Sequence, residues 1–340
     1  MNPRTAVLVG AALAALAVPN LLAQEPPVPA TPIAPAGRAV AAKPAPKPEV
    51  PVYDEAADAK KDVAAAVAKA KKENQRVLIQ WGANWCGWCK WLAGTMKSDR
   101  DLSTKLRNEY QVVHVDVGHF DKNLDLAKEL GAEFKAIPYL TILDADGKAL
   151  VQQNTEPFET KVDAKGEGKN GHDAKKVVEF LTQHESTPLE AKAVLAAAMA
   201  TAKQEQKRVF LHFGAPWCGW CHRLEDWMAK PEIAALLAKD FVDVKIDNDR
   251  MTGGQEMCDR HKAAAGETQK GIPWIAFLDS EGKLLAHSTG PKGNTGFPSE
   301  PYEVDHFVTM LNATKVHLTD ADVAMLRASL MPPPKAEVIK

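Results

Sequence analysis

The sequence predicts an α/β protein in which one fold is built twice in tandem, each copy a mixed central sheet flanked by helices. Three observations carry this. Residues 59–96 align with residues 191–228 at a constant offset of 132, without a gap and with about half the positions identical. A period that long marks a duplicated domain and not a solenoid unit. Apolar runs of strand length alternate with helical stretches in both copies. Near the end of each copy, Asp146-Gly147 and Glu281-Gly282 read as hairpin turns, so the last strand returns antiparallel and the sheet is mixed.

The elements follow in order. A first helix is predicted over 54–72 and 188–205, the second opening on Pro188, which suits a first helical turn. Strands follow at 77–79 and 209–211, then a C-x-x-C motif and an amphipathic helix in each copy. A second strand is predicted at 112–117 and 242–247, and a helix at 123–130 and 255–264. An Ile-Pro then opens a strand at 137–143 and 272–278, and closing helices are expected over 174–183 and 304–313. A short helix over 318–331 ends at Pro332-Pro333-Pro334. The expected organisation is an export signal at 1–23, a Pro/Ala-rich linker at 24–52, domains at 53–185 and 187–318, and a C-terminal tail at 319–340.

The chain has 340 residues, 45 % of them hydrophobic, which is enough for two packed cores. A net charge of −2 lacks the basic footprint of a nucleic-acid-binding surface, so no nucleic-acid partner is expected. Arg4 is the only charge ahead of Glu25; residues 6–18 are apolar, Pro19-Asn20 breaks the run, and Leu21-Leu22-Ala23 offers a cleavage point. This is the pattern of a signal peptide, and it predicts an exported protein, periplasmic or secreted. Left uncleaved, the segment would serve as a membrane tether near the lower length for a span. The Pro-rich stretch that follows favours extended polyproline II and reads as a spacer. The Lys/Glu run at 69–73 reads as an exposed helix face.

Chemistry points to the cysteines. There are five: Cys86, Cys89, Cys218, Cys221 and Cys258. That is too few for a disulfide-stapled scaffold, so the two C-x-x-C pairs read as sites. Each pair follows a strand and opens a helix, where free N–H groups and the macrodipole favour a thiolate and lower the first thiol's pKa. Cys86 and Cys218 are the expected nucleophiles, and Cys89 and Cys221 the resolving thiols. Trp88 and Trp220, inside the motifs, either shield the sulfurs and contact substrate or pack across the helix start. Cys258 reads as a small buried hydrophobe, although an odd cysteine in an exported chain leaves a third redox role open. No cofactor is needed. Two metal-based readings compete. Cys218 to His222 matches C-x-x-C-H, the haem attachment motif, but Lys90 stands where the repeat puts His222. A four-cysteine zinc site would need the two pairs to meet, although each has the same place in its own copy. A non-catalytic binding module is the third alternative.

Both copies resemble thioredoxin, over residues 53–185 and 187–318. The resemblance rests on Trp85 and Trp217 before the motifs, on both C-x-x-C pairs, and on Ile137-Pro138 and Ile272-Pro273. The W-C-G-W-C form is most similar to secreted bacterial thioredoxin-like proteins. The resemblance implies thiol–disulfide exchange on proteins, as a reductase or isomerase, with an unidentified redox partner. It also implies cis bonds before Pro138 and Pro273, with the backbone there pairing with substrate. One departure is plain. Six positions before the first cysteine the family carries an acidic residue that moves the resolving thiol's proton; here Gln80 and His212 stand there. Only His212 can accept a proton near neutrality, which would make the second site better at resolution; the alternative is that both are packed polar groups.

Overall fold

The computed structural model describes residues 50–162 and 167–331. The expected export signal, most of the linker and the end of the tail lie outside them. The first half runs α1 (Ala59–Glu73), β1 (Arg76–Gly82), α2 (Gly87–Ser98), α3 (Arg100–Glu109), β2 (Tyr110–Asp116), α4 (Leu124–Glu129), β3 (Tyr139–Leu143), β4 (Ala149–Asn154), a ribbon of β5 (Glu159–Thr160) and β6 (Gly171–His172), and α5 (Ala174–Thr182). The second runs α6 (Ala191–Glu205), β7 (Arg208–Gly214), α7 (Gly219–Met228), α8 (Pro231–Leu237), β8 (Phe241–Asp247), α9 (Gly254–Ala264), β9 (Trp274–Leu278), β10 (Leu284–His287), a ribbon of β11 (Thr289–Gly290) and β12 (Gly293–Asn294), α10 (Pro301–Thr314) and α11 (Asp320–Leu330).

Each half holds one four-stranded mixed sheet, in the orders β2-β1-β3-β4 and β8-β7-β9-β10. β1 and β7 lie at the centres, parallel to β2 and β8 and antiparallel to β3 and β9. Successive side chains on a strand point to opposite faces. Val77, Ile79 and Trp81 therefore join one core with α1, while Leu78 joins the other with α2, α3 and α5. Val209, Leu211 and Phe213 repeat this against α6, with Phe210 on the other face. The same parity turns Gln80, Gly82, His212 and Gly214 towards the helices that carry the cysteines.

Several features differ from expectation: the first helices start at Ala59 and Ala191, after the N-cap positions Asp58 and Glu190, so Pro188 lies ahead of α6 and not in its first turn. Two helices, not one, follow each C-x-x-C. Asp99 ends α2 and caps α3, its side chain accepting from Leu102 N, and Pro231 starts α8 at a position where its missing N–H costs nothing. β3 and β9 begin after the prolines, because proline cannot donate to the ladder. The short ribbons β5–β6 and β11–β12 are too brief to show periodicity. The helix expected over 318–331 is α11; Val323, Leu326 and Leu330 pack into the second core beside Phe307.

The halves meet through charge. Arg250 donates to Glu73 O at 2.6 Å, to Asn74 O at 2.7 Å and to the Glu109 carboxylate at 3.1 and 3.2 Å. Lys245 reaches Glu73 at 2.7 Å and Glu225 at 2.8 Å. Glu73 is thus no exposed end of the 69–73 run: the αL residue Asn74 stops α1 so that its last acid faces the second half.

Candidate active sites

Cys86 occupies the N-cap of α2 and Cys218 that of α7. Each Sγ accepts from the backbone N–H of its partner cysteine at 3.1 Å. This is the use of free helix-start donors that favours negative charge on the first sulfur. The pairs are closed as Cys86–Cys89 and Cys218–Cys221 disulfides. All four sulfur residues are buried, the two first cysteines slightly less so than their partners.

Ile137-Pro138 and Ile272-Pro273 are cis. Cys86 Sγ lies 3.6 Å from Ile137 O, and Cys218 Sγ 3.6 Å from Ile272 O. The residues expected from the resemblance are therefore together in space, twice. Side chains tie down the backbone behind each proline: Thr155 donates to Pro138 O at 3.0 Å and Asn294 to Pro273 O at 2.8 Å. Beside Ile137 and Pro138 a groove of about 710 Å³ runs past Phe134, Asn154 and Lys161.

The tryptophans divide. Trp85 and Trp217 are more than half exposed, their indole N–H groups anchored on Gly118 O at 2.8 Å and Asp249 Oδ2 at 2.7 Å. Trp88 sits edge-on to Trp91 and His172, whereas Trp220 is exposed under the Arg223 guanidinium. His172 is buried without a partner for either ring nitrogen among the described residues, and burial pushes its pKa down.

Behind the sulfurs the copies diverge. Gln80 is buried; its amide N–H₂ donates to Tyr53 Oη at 2.7 Å and to Cys89 O at 3.1 Å. His212 is buried and pairs with Asp243 at 3.1 Å, its other ring nitrogen without a partner among the described residues. Neither Tyr53 nor Lys245 is singled out by the sequence, yet each comes close to the strand-end glycine beside the second cysteine of its motif. A Cβ built on Gly82 would collide with Tyr53 Oη and stand 2.9 Å from Cys89 Sγ; one on Gly214 would stand 3.4 Å from Cys221 Sγ and 3.8 Å from Lys245 Cε. Gly82 is needed for this close approach, whereas a Cβ at Gly214 would only crowd Cys221. The only available signals were their place at the strand ends and a tyrosine just ahead of the repeat. Cys258 is fully buried, and burial pushes its thiol up, as suits an inert core cysteine.

The comparisons agree with this geometry. Residues 58–145 match a family model described as thioredoxin-like, and residues 172–328 match one for a DsbH-type thioredoxin described as a protein of unknown function, DUF255. The protein disulfide-isomerase erp38 of Neurospora crassa is 29 % identical over 239 residues, covering 67 % of this chain and 55 % of its own. The human spermatogenesis-associated protein 20 is 37 % identical over 71 residues, 21 % of this chain and 9 % of its own. A solved disulphide isomerase from Xylella fastidiosa aligns at 28 % identity over 39 % of this chain and 96 % of its own, with a TM-score of 0.33. The chain spans about half the length of the disulfide-isomerase relative it matches. By these family models, residues 58–145 match a thioredoxin-like domain and residues 172–328 a DsbH-type thioredoxin domain, one in each half of the chain.

Proposed function

We propose that the protein is an extracytoplasmic thiol–disulfide oxidoreductase that reduces or isomerises protein disulfides at two C-G-W-C sites. The observation that carries this is the repeated juxtaposition of a helix-capping cysteine, its partner one turn on, and a cis Ile-Pro carbonyl 3.6 Å from the first sulfur. In the reduced enzyme, the Cys86 or Cys218 thiolate attacks a substrate disulfide. A mixed disulfide forms and one substrate thiolate leaves. Cys89 or Cys221 then attacks the enzyme sulfur and expels the second substrate thiol. The exposed Trp85 and Trp217, with Trp88 and Trp220, give substrate an apolar rim, and the backbone at Ile137-Pro138 and Ile272-Pro273 gives an extended chain its hydrogen bonds. His212, paired with Asp243, takes up a proton during resolution in the second site. The N-terminal segment directs export, and a separate dithiol protein resets the sites.

Turnover of a disulfide-bonded peptide by the full chain tests this. Cys86→Ser and Cys218→Ser should each remove one site's share, and the double variant should be inactive. Full activity in the double variant would defeat the assignment. Absence of activity in the wild type, with substrate still bound, would favour a binding module.

A further inference from the structure

Tyr53 precedes the repeated segment, so nothing in the second half corresponds to it. It is fully buried, in contact with both Cys86 and Cys89. Its backbone is clamped by Asn84, which accepts from Tyr53 N at 3.1 Å and donates to Tyr53 O at 2.9 Å. Its hydroxyl and Cys89 Sγ both crowd the point where a Cβ on Gly82 would stand, the sulfur 2.9 Å from it and the hydroxyl closer still, so the two groups meet over the bare Gly82 Cα. The hydrogen bonds then leave one proton over. Cys89 O can only accept, so it fixes the Gln80 amide with N–H₂ towards both Cys89 O and Tyr53 Oη. Tyr53 Oη accepts there, and its own O–H has no acceptor among the described residues. A buried O–H without an acceptor is costly. The neighbouring Cys89 Sγ becomes negative when the resolving thiol ionises, and it could then supply that acceptor.

We infer that Tyr53 is a positioning residue of the first site, its phenol donating a hydrogen bond to the Cys89 thiolate that forms when the mixed disulfide is resolved. This rests on the oxidoreductase reading. In the step, Cys89 loses its proton to water and its thiolate attacks Cys86 Sγ. The Cys86–Cys89 bond forms, the Cys86–substrate bond breaks, and the electron pair leaves on the substrate sulfur. The phenol keeps its proton throughout. Burial and the nearby Asp116 carboxylate hold Tyr53 well above its usual range, which suits a donor. The other groups around it agree. His114, edge-on to the Tyr53 ring, is pushed down by burial, which favours its neutral form. Asp116 is paired with Lys122 at 3.1 Å, and Glu55 is held by Asn84 at 3.0 Å. Among the described residues no cation takes the phenol's place in this site, whereas in the second site the Lys245 side chain shares the space over Gly214 with Cys221 Sγ. The two halves thus stabilise their resolving thiolates by different means: a neutral donor in one, a charge in the other.

The full chain carrying Cys218→Ser and Cys221→Ser, with and without Tyr53→Phe, tests the inference. An aromatic disulfide reagent releases one coloured thiolate when Cys86 attacks and a second when Cys89 resolves. Tyr53→Phe keeps the ring, so packing is preserved. The expected result is an unchanged first phase and a second phase slowed roughly ten- to a hundred-fold below the thiol's pKa, the worth of a hydrogen bond to a charged group. Its pH midpoint should also move up. A second phase with unchanged rate and midpoint would overturn the role of Tyr53 and leave the site's chemistry intact. Absence of both phases in the parent would overturn the oxidoreductase reading and this inference together.

Discussion

Replacing Lys245 by methionine should cost the protein far more than a surface charge is worth. The Lys245 side chain is 19 % exposed and sits between Glu225 at 2.8 Å and Glu73 at 2.7 Å, which are 11 % and 17 % exposed. Removing the ammonium leaves two largely buried carboxylates facing one another across the junction of the halves. Breaking a buried ion pair from one side costs about 3–5 kcal/mol, whereas an exposed pair is worth about 0–1 kcal/mol. We expect Lys245→Met to lower the unfolding free energy of the full chain by about 3–5 kcal/mol in urea titration. Glu73→Gln leaves Lys245 with Glu225 and should cost less, about 1–3 kcal/mol. The triple variant with Lys245→Met, Glu73→Gln and Glu225→Gln should recover part of the loss, because no charge is left unpaired. The pH dependence has a fixed sign. Burial alone would push Lys245 down and Glu73 up, but their mutual attraction wins in both, holding Lys245 raised and Glu73 lowered. The contribution of Glu73 is complete above its ordinary value of 4.5 and is lost as the pH falls below it. That of Lys245 is complete below its ordinary value of 10.5 and is lost only at higher pH. A loss below about 1 kcal/mol for Lys245→Met would refute the claim that this cluster is desolvated.

Three further outcomes follow from the same geometry. Asp240 is fully buried and accepts from the backbone N–H groups of Val316, His317 and Leu318; these bonds outweigh burial and hold its carboxyl low. Asp240→Ala should cost about 2–4 kcal/mol by denaturant titration, and the wild type should lose this contribution as the pH falls below the ordinary aspartate range. Leu326→Ala in α11 opens a cavity in the second core and should cost about 2–5 kcal/mol, read as a lower urea midpoint. Because burial pushes His172 down, Trp88 fluorescence should show a step on acidification below pH 6.5, absent in His172→Phe.

Much of this architecture is legible in the sequence, because it depends on local pattern. The alternation through β1 and β7 separates Val77, Ile79 and Trp81 from Leu78 and Gln80 without any tertiary information. The C-x-x-C pairs and the Ile-Pro dipeptides identify the groups that meet, although their spatial meeting rests on the resemblance and not on spacing. Other signals were available and unread. Asp99 is a helix-capping residue in mid-segment, and Pro231 marks a first turn, so both helix breaks could have been placed. What could not be read is contact at long separation. Glu73 and Lys245 lie in different copies, so the repeat itself conceals their pairing. Tyr53 falls outside the repeat, and nothing in its neighbours' types says that it reaches Gln80. The substitution of Gln80 and His212 for an acid was visible. The Tyr53 phenol and Lys245 ammonium near the second cysteines were not, because they come from other elements.

The most direct test of the account is the redox equilibrium of each pair. The full chain is brought to equilibrium with glutathione buffers of graded potential, and Cys86–Cys89 and Cys218–Cys221 are followed separately by alkylation and mass analysis of their peptides. Two reversible two-electron transitions are expected, between about −270 and −180 mV, the span from thioredoxin to disulfide isomerase. Thiols that form no reversible disulfide within either pair across that range would contradict it.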